Sequence, residues 1–142
     1  MQSMSENEWQ EFVMQDSRTG KLATVREDGR PHLVPIWFIL QEGSLLFMTG
    51  EGTVKAGNIR RDRRVAICVD DETFPFSYVT IEGKAEVLDP DQDEFVKIST
   101  EIARRYVGDE QAGEYGKRNA VPGELLIRVK PTKVITAKNV AD

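Results

Sequence analysis

An Asp-Gly turn between two β-prone runs is the feature that most constrains how this chain can fold. The runs span residues 21–26 and 31–40, and the tetrapeptide Glu-Asp-Gly-Arg separates them. Asp-Gly between strand-like segments is typical of a β-hairpin, because both turn positions tolerate a positive φ. The sequence therefore predicts an antiparallel hairpin near the start of the chain.

Further β-prone runs follow, separated by turns that contain glycine, proline or aspartate. They span 45–49, 64–69, 77–88, 124–129 and 133–136. Gly83 is expected to bend or bulge its strand, and Pro131 to separate the last two runs, because proline has no N–H for pairing in the middle of a sheet. The pattern predicts six or seven strands in mostly antiparallel order, with two or three marginal helices, as in a small barrel or closed sheet.

Two segments carry clear helix signals. Residues 5–8 form a capping box ahead of apolar residues at helical spacing, which predicts a helix over 6–15. Asp89 followed by Pro90 predicts the start of a second helix, whose apolar face extends to Tyr106. Residues 107–123 are rich in glycine and charge, and we expect a loop there with at most a short helical turn.

Composition limits the class of function. The 142 residues, 39% hydrophobic and 30% charged, fit one globular domain over 1–142. No apolar run approaches the ~20 residues of a membrane span, and the first ten residues do not resemble a signal peptide, so we expect a cytoplasmic protein. The net charge of −5 argues against a general nucleic-acid binder. Four arginines at 60, 61, 63 and 64 leave open a non-catalytic site for nucleic acid or an acidic protein.

Few side chains of this sequence support catalysis on their own. His32 is the only histidine, so a histidine-based metal site would lack ligands. Cys68 is the only cysteine and lies in an apolar run, where we expect it to be buried and its thiol unreactive. No catalytic acid or base can be named. If the chain is an enzyme, a bound cofactor must supply the reactivity while the protein supplies position and electrostatics.

Residues 44–69 combine a strand, a glycine turn and a short basic segment. The glycines at 50 and 52 permit a tight turn, after which Thr53 can cap a helix that begins at Val54. Free amides and the positive end of the helix dipole favour an anion there. We interpret the segment as a phosphate cradle, in which Lys55 supplies a charge and the hydroxyls of Thr49 and Thr53 supply donors. The alternative is a surface helix that only connects two strands.

Two adjacent aromatic residues, Trp37 and Phe38, follow Pro35 in the second run of the hairpin. Either ring can wall a flat ligand, and proline leaves the strand locally open because it has no N–H. The alternative is that alternate residues of a strand face opposite sides, which places at least one of the two rings in the core.

The order of these segments resembles the split-barrel flavin and deazaflavin oxidoreductases, the superfamily of pyridoxamine 5′-phosphate oxidase. The matching stretches, from about residue 20 to 88, are LATVREDGRPHLVPIWF, LLFMTGEGTVKAGNIRRDRRVAICVDD and YVTIEGKAEVL. Within the superfamily the chain looks most like the coenzyme F-420-dependent branch, through Pro35-Ile36-Trp37-Phe38, Lys55 and the Asn-Ile-Arg-Arg-Asp run at 58–62. The resemblance implies a mainly β, six- to seven-stranded antiparallel split β-barrel with peripheral helices. It also implies a homodimer with its cofactor in a groove between the subunits.

The implied activity is an oxidoreductase that uses reduced F-420 to transfer a hydride to an organic acceptor. In the FMN-binding oxidases the second strand contributes basic residues, and the phosphate turn carries an Arg-Lys pair. In this chain Val34 and Ile39 occupy the positions of the basic residues of the second strand, and Val54-Lys55 replaces the Arg-Lys pair of the phosphate turn. Each lost charge-assisted contact is worth about 1.5–3 kcal/mol, which favours the deazaflavin over FMN. An FMN-binding oxidase, reductase or flavin carrier is the alternative.

The candidate cofactor-binding residues follow from this alignment. We expect the phosphate and its neighbouring groups to be held by residues of the phosphate turn and its helix, namely Thr49, Thr53, Lys55 and Asn58. The ring is expected to be bordered by three residues of the second strand, Pro35, Ile36 and Trp37. Two further candidates are Arg61, which would contribute a charge, and Tyr78, which would contribute an aromatic side chain. The acceptor pocket is expected from the loops at 70–75 and 107–123, because such loops vary most.

Overall fold

The computed structural model describes all residues, 1–142, as seven strands and four helices. The strands are β1 (Gly20–Val25), β2 (Pro31–Ile36), β3 (Ile39–Gln41), β4 (Ser44–Gly50), β5 (Arg64–Asp71), β6 (Ser77–Leu88) and β7 (Glu124–Ala137). The helices are α1 (Glu6–Met14), α2 (Val54–Arg61), α3 (Gln92–Val107) and α4 (Asp109–Asn119). None of the four helices has the length and apolar character needed to cross a membrane.

The strands form one sheet in the order β2-β1-β5-β6-β7-β4-β3, and all neighbours are antiparallel. The predicted hairpin is confirmed as β1 and β2, with Gly29 at a φ of 88° in the turn. β2 and β3 are the two edges of the sheet, yet only Trp37 and Phe38 separate them in the chain. Since consecutive Cα atoms are about 3.8 Å apart, the two edges must lie close together and the sheet must curl.

The predicted single run over 31–40 is therefore wrong in one respect, because it breaks at Trp37 and Phe38 into two strands that do not pair with each other. We call this two-residue link the Trp37-Phe38 seam. It leaves the curled sheet open between its edges. The seven strands, the curl and the four marginal helices agree with the predicted mainly β split-barrel fold.

The main core is a cluster of 16 buried residues, most of them from the sheet, with Phe38 from the Trp37-Phe38 seam, Ile59 from α2, and Trp9 and Val13 from α1. The capping box that predicted α1 is present, since Ser5 and Glu8 each accept a hydrogen bond from the other's backbone N–H. A smaller cluster packs α3 against β3, β4 and β7; it consists of Ile39, Leu46, Ile98, Ile102 and Leu126.

The loop predicted over 107–123 is wrong, because most of this segment forms α4. Its two glycines concealed the helix, yet Gly116 is required by packing: a Cβ on this residue would lie 2.8 Å from the Cα of Thr100 on α3. Acidic residues in the first turn of α4 and basic residues in the last complement the helix dipole. The segment therefore forms a helical hairpin with α3.

Three smaller expectations also change. Asp91, not Asp89, caps α3, and its carboxylate accepts the Glu94 N–H at 2.8 Å. β7 continues through Pro131 because this residue lies opposite Gly83, where the β6–β7 register shifts and a missing N–H costs no regular pair. The predicted irregularity at Gly83 is thus confirmed. Cys68 is partly exposed rather than buried.

Candidate cofactor site

The turn between β4 and α2 forms as its glycine pattern predicts. Thr53 is the N-cap of α2, and its Oγ1 accepts a backbone N–H three residues on, at 3.3 Å. The same oxygen donates to the carbonyl of Gly50 at 2.9 Å and lies 2.8 Å from Oγ1 of Thr49. The N–H groups of Val54 and Lys55 have no acceptor within the helix and lie at the positive end of its dipole. The turn can therefore offer amides to an anion, whereas the two threonine hydroxyls are bonded within the chain.

Lys55 lines a cavity of about 240 Å³ that we call the Lys55 cavity. Its wall combines residues of β2, the Trp37-Phe38 seam, β4, α2, the α3–α4 hairpin and β7. The lining residues are Pro35, Ile36, Trp37, Met48, Lys55, Ser99, Ile102, Asn119 and Glu124. The three candidates for the ring wall and the lysine of the phosphate turn thus face one space.

Lys55 and Glu124 are the only ionisable side chains among the nine that line this cavity. Neither forms an ion pair in the structure. Burial raises the pKa of the Glu124 carboxyl above its usual range, while the nearby positive charge of Lys55 acts in the opposite direction. The Lys55 ammonium group is therefore available to a ligand.

Ser99 contributes a polar group without a partner. The residue is 1% exposed, and its Oγ makes no hydrogen bond within the chain. A buried hydroxyl left unpaired costs about 1–3 kcal/mol, so such groups usually meet a ligand or a water. Ser99 lines the Lys55 cavity, so this hydroxyl lies in the cavity wall, where it is covered in the absence of a ligand. A free cation, an apolar aromatic wall and an unpaired hydroxyl within that wall suit the chemistry of an anionic, ring-bearing cofactor.

The Trp37 side chain, which is 39% exposed, is held in place from behind by α3. Its ring stacks on Tyr106, with centroids 5.0 Å apart and planes 5° from parallel. Tyr106 Oη accepts the Phe38 N–H at 3.1 Å and donates to the carbonyl of Arg18 at 2.9 Å. Phe38 itself is fully buried, so its ring belongs to the core, whereas Trp37 forms part of the cavity wall.

Asn58 and Arg61 lie outside the Lys55 cavity. They line a second cavity of about 410 Å³ together with Arg26 and Arg30. Asn58 is 4% exposed; its Nδ2 donates to Thr24 Oγ1 at 3.0 Å and its Oδ1 accepts from Arg61 Nη2 at 2.9 Å. The Asn58 amide thus joins α2 to β1 inside the fold, and its role toward a cofactor stays a prediction.

Tyr78 lines neither of these two cavities, so no cavity contact supports its predicted role toward the cofactor, which stays a prediction.

Three of the four arginines considered for a nucleic acid or an acidic protein are hydrogen-bonded within the chain. Arg61 donates to the Val25 carbonyl, Arg63 to the Ala85 carbonyl and Arg64 to the Asp62 carboxylate.

Sequence reasoning named none of the other five residues that line the Lys55 cavity, and only Asn119 lies in a segment expected to form the acceptor pocket. The five are Met48, Ser99, Ile102, Asn119 and Glu124. A signal existed for Ser99, because it is a polar residue between the apolar positions of α3. No local pattern marks Glu124. It reaches the site only because β7 pairs with β4, a contact between segments far apart in the chain.

Comparisons with known proteins agree with this architecture. The model of the pyridoxamine 5′-phosphate oxidase family matches residues 5–138. A crystal structure of the conserved hypothetical protein Rv2991 from Mycobacterium tuberculosis is 30% identical, over 96% of this chain and 86% of that one, with a TM-score of 0.82. A structure named F420 reductase is 26% identical, over 88% and 94% of the two chains, with a TM-score of 0.69.

The heme storage protein HutZ from Vibrio cholerae has a TM-score of 0.74 at 19% identity, over 96% of this chain and 98% of that one. At this level of identity the likeness concerns the fold alone. The family model, by contrast, spans nearly the whole chain. The protein therefore belongs to the pyridoxamine 5′-phosphate oxidase family.

Proposed function

We propose that this protein is an oxidoreductase that binds reduced coenzyme F-420, whose deazaflavin ring, when bound, supplies a hydride to an organic acceptor. Membership of a family that binds flavin-type cofactors supports the general class, and the similarity to a structure named F420 reductase supports the choice of cofactor. The observation that carries the proposal is that Lys55 and the ring-wall residues Ile36 and Trp37 line one cavity.

Different residues of the site bind different parts of the cofactor. The Lys55 ammonium and the amides at the start of α2 hold the phosphate, since cations and helix N-termini both favour anions. Pro35, Ile36 and Trp37 border the ring, and Ser99 Oγ meets a polar group at its edge. The chain contributes orientation and exclusion of water, and it is assigned no acid or base.

The charge of the site favours F-420 over FMN. Lys55 is the only cation of the cavity, and Ile39, at a place where the FMN-binding oxidases have a basic residue, is buried in the smaller core cluster. One lysine matches the single charge of a phosphodiester better than the double charge of the FMN phosphomonoester. Three arginines, Arg26, Arg30 and Arg61, line the second cavity against two carboxylates, Glu27 and Asp28, which leaves one net positive charge for an acidic oligoglutamate tail.

A homodimer is part of the proposal. The Lys55 cavity of about 240 Å³ is smaller than the roughly 300–1,000 Å³ of most ligand pockets, so a second chain is needed to enclose the ring. Leu33 and Trp37, at 66% and 39% exposure, present apolar surface on and beside the edge strand β2. Sedimentation at micromolar concentration should show a dimer; a monomer that still binds cofactor with full affinity would contradict this part.

Titration of the purified protein with F-420 and with FMN, followed by cofactor fluorescence, tests the assignment. We expect F-420 to bind more tightly. Tighter binding of FMN would reverse the order of the two cofactors, and no binding of either would overturn the proposed function.

A further inference from the structure

Glu124 places a carboxylate over the turn that leads into α2. It is the first residue of β7, and its Cα pairs with that of Gly50, the last residue of β4. Its Oε1 lies 3.6 Å from the position that a Cβ on Gly50 would take. An anion bound at the start of α2 therefore lies near this carboxylate.

The carboxylate changes the charge balance of the site. Lys55 contributes one positive charge and Glu124 one negative charge to the Lys55 cavity, and no other ionisable side chain lines it. The α2 dipole adds roughly half a positive charge. Because neither side chain is neutralised by an ion pair elsewhere, both charges act on the ligand.

We infer that Glu124 is a specificity residue, which lets the site accept a singly charged phosphodiester and weakens the binding of a doubly charged phosphomonoester. This inference rests on the proposed function and deepens it, since it assigns the choice between two classes of phosphate to one side chain. The repulsion between Glu124 and a bound phosphate scales with the phosphate charge, so it is about twice as large for the dianion at the same distance.

The test compares the wild-type protein with Glu124→Gln and with Glu114→Gln. Glu114 is exposed on α4 and lines neither cavity, so its substitution removes the same charge at a distance from the site. Affinities for F-420, FMN and riboflavin are measured by fluorescence titration at pH 8. At this pH FMN is a dianion, because the second pKa of a phosphomonoester is about 6. This pH also lies several units above the ordinary pKa of a glutamate carboxyl, about 4.3, from which burial raises that of Glu124.

Glu124→Gln is expected to increase the affinity for FMN about tenfold relative to that for F-420. Riboflavin, which has no phosphate, should not gain, and Glu114→Gln should resemble the wild type. An unchanged ratio of FMN to F-420 affinity in Glu124→Gln, with wild-type F-420 binding intact, overturns the inference and leaves the proposed function standing. Failure of the wild type to bind either cofactor overturns both. A thermal unfolding curve of each variant shows that the compared proteins are folded.

Discussion

The indole ring of Trp37 lies 5.0 Å from the ring of Tyr106 and almost parallel to it. Trp37 lines the Lys55 cavity and Tyr106 does not, so the stack joins the proposed ring wall to α3 from outside the cavity. Tyr106 also bonds the backbone of Phe38 and Arg18. One residue of α3 thus fixes both the direction of Trp37 and the position of the Trp37-Phe38 seam.

Two substitutions at Tyr106 separate these roles. Tyr106→Phe keeps the stack and loses the hydrogen bonds, so we expect a loss of about 1–3 kcal/mol in the free energy of unfolding and an F-420 affinity close to wild type. Tyr106→Leu loses the stack as well and should weaken F-420 binding several-fold. Urea unfolding and fluorescence titration measure the two effects. Equal F-420 affinity in both variants would show that the stack does not hold the wall.

Removal of the cavity cation should act on binding and not on folding. We expect Lys55→Ala to weaken F-420 binding at least tenfold, about 1.4 kcal/mol, with little change in stability, because the ammonium makes no ion pair within the chain. Lys97→Ala, at an exposed position of α3, is the matched control. Unchanged binding in Lys55→Ala would show that the phosphate lies elsewhere.

Ser99→Ala should have effects of opposite sign on stability and binding. Removal of an unpaired buried hydroxyl from a helix is expected to raise the free energy of unfolding by about 1 kcal/mol in the absence of ligand. The same change should weaken F-420 binding a few-fold, since Ser99 lines the cavity. Urea unfolding without cofactor and fluorescence titration give the two values. A loss of stability would indicate that the hydroxyl is bonded in solution.

The two glycines of α4 offer a matched pair. A Cβ on Gly116 would lie 2.8 Å from Thr100 Cα and 2.9 Å from its Cβ, so Gly116→Ala should push α4 from α3 and destabilise the protein by about 1–3 kcal/mol. Nothing lies within 4 Å of a Cβ on Gly113, and Gly113→Ala should stabilise α4 by about 0.5–1 kcal/mol. Thermal unfolding of both variants measures the difference. Equal shifts would mean that the helices do not approach as closely as described.

Asp62, the C-cap of α2, should make stability depend on acid pH. Hydrogen bonds from the Arg64 guanidinium and N–H lower the pKa of this carboxyl to about 2. A carboxyl with a lowered pKa in the folded state stabilises the protein above its unfolded pKa of about 3.9, and the contribution is lost as the pH falls through about 4 toward 2. Asp62→Asn should be less stable than the wild type at pH 6, and the gap should close near pH 2. A difference in stability that persists at pH 2 would show that it does not arise from the ionised Asp62 carboxylate.

Local patterns were sufficient for most strands and for three helices. The Asp-Gly turn, the Ser5 capping box and the Thr53 cap are interactions between near neighbours, and each formed as predicted. α4 was missed because glycine disfavours a helix unless a close packing contact requires it, and the contact of Gly116 with Thr100 is tertiary. Pro131 was misread for a related reason, since only the partner strand reveals the irregularity that accommodates it.

The difference between local sequence patterns and tertiary contacts also explains which residues of the site were predicted. Pro35, Ile36, Trp37 and Lys55 were proposed together, and they line one cavity. Of the two loops expected to form the acceptor pocket, only the segment that became α4 reaches this cavity, through Asn119. Glu124 could not be placed, because the pairing of β7 with β4 brings it there. Ser99 carried a signal as a polar residue on an apolar helix face, but only the packing of α3 shows which cavity it lines.

The Trp37-Phe38 seam ties two properties of the molecule to the same pair of residues. Its length sets how far apart the sheet edges can stand, and its first residue faces the proposed ligand. A longer link would widen the opening and also displace the indole. Divergence in the choice of ligand is therefore easier on the opposite wall, where α3, α4 and β7 can change a side chain without altering how the sheet closes.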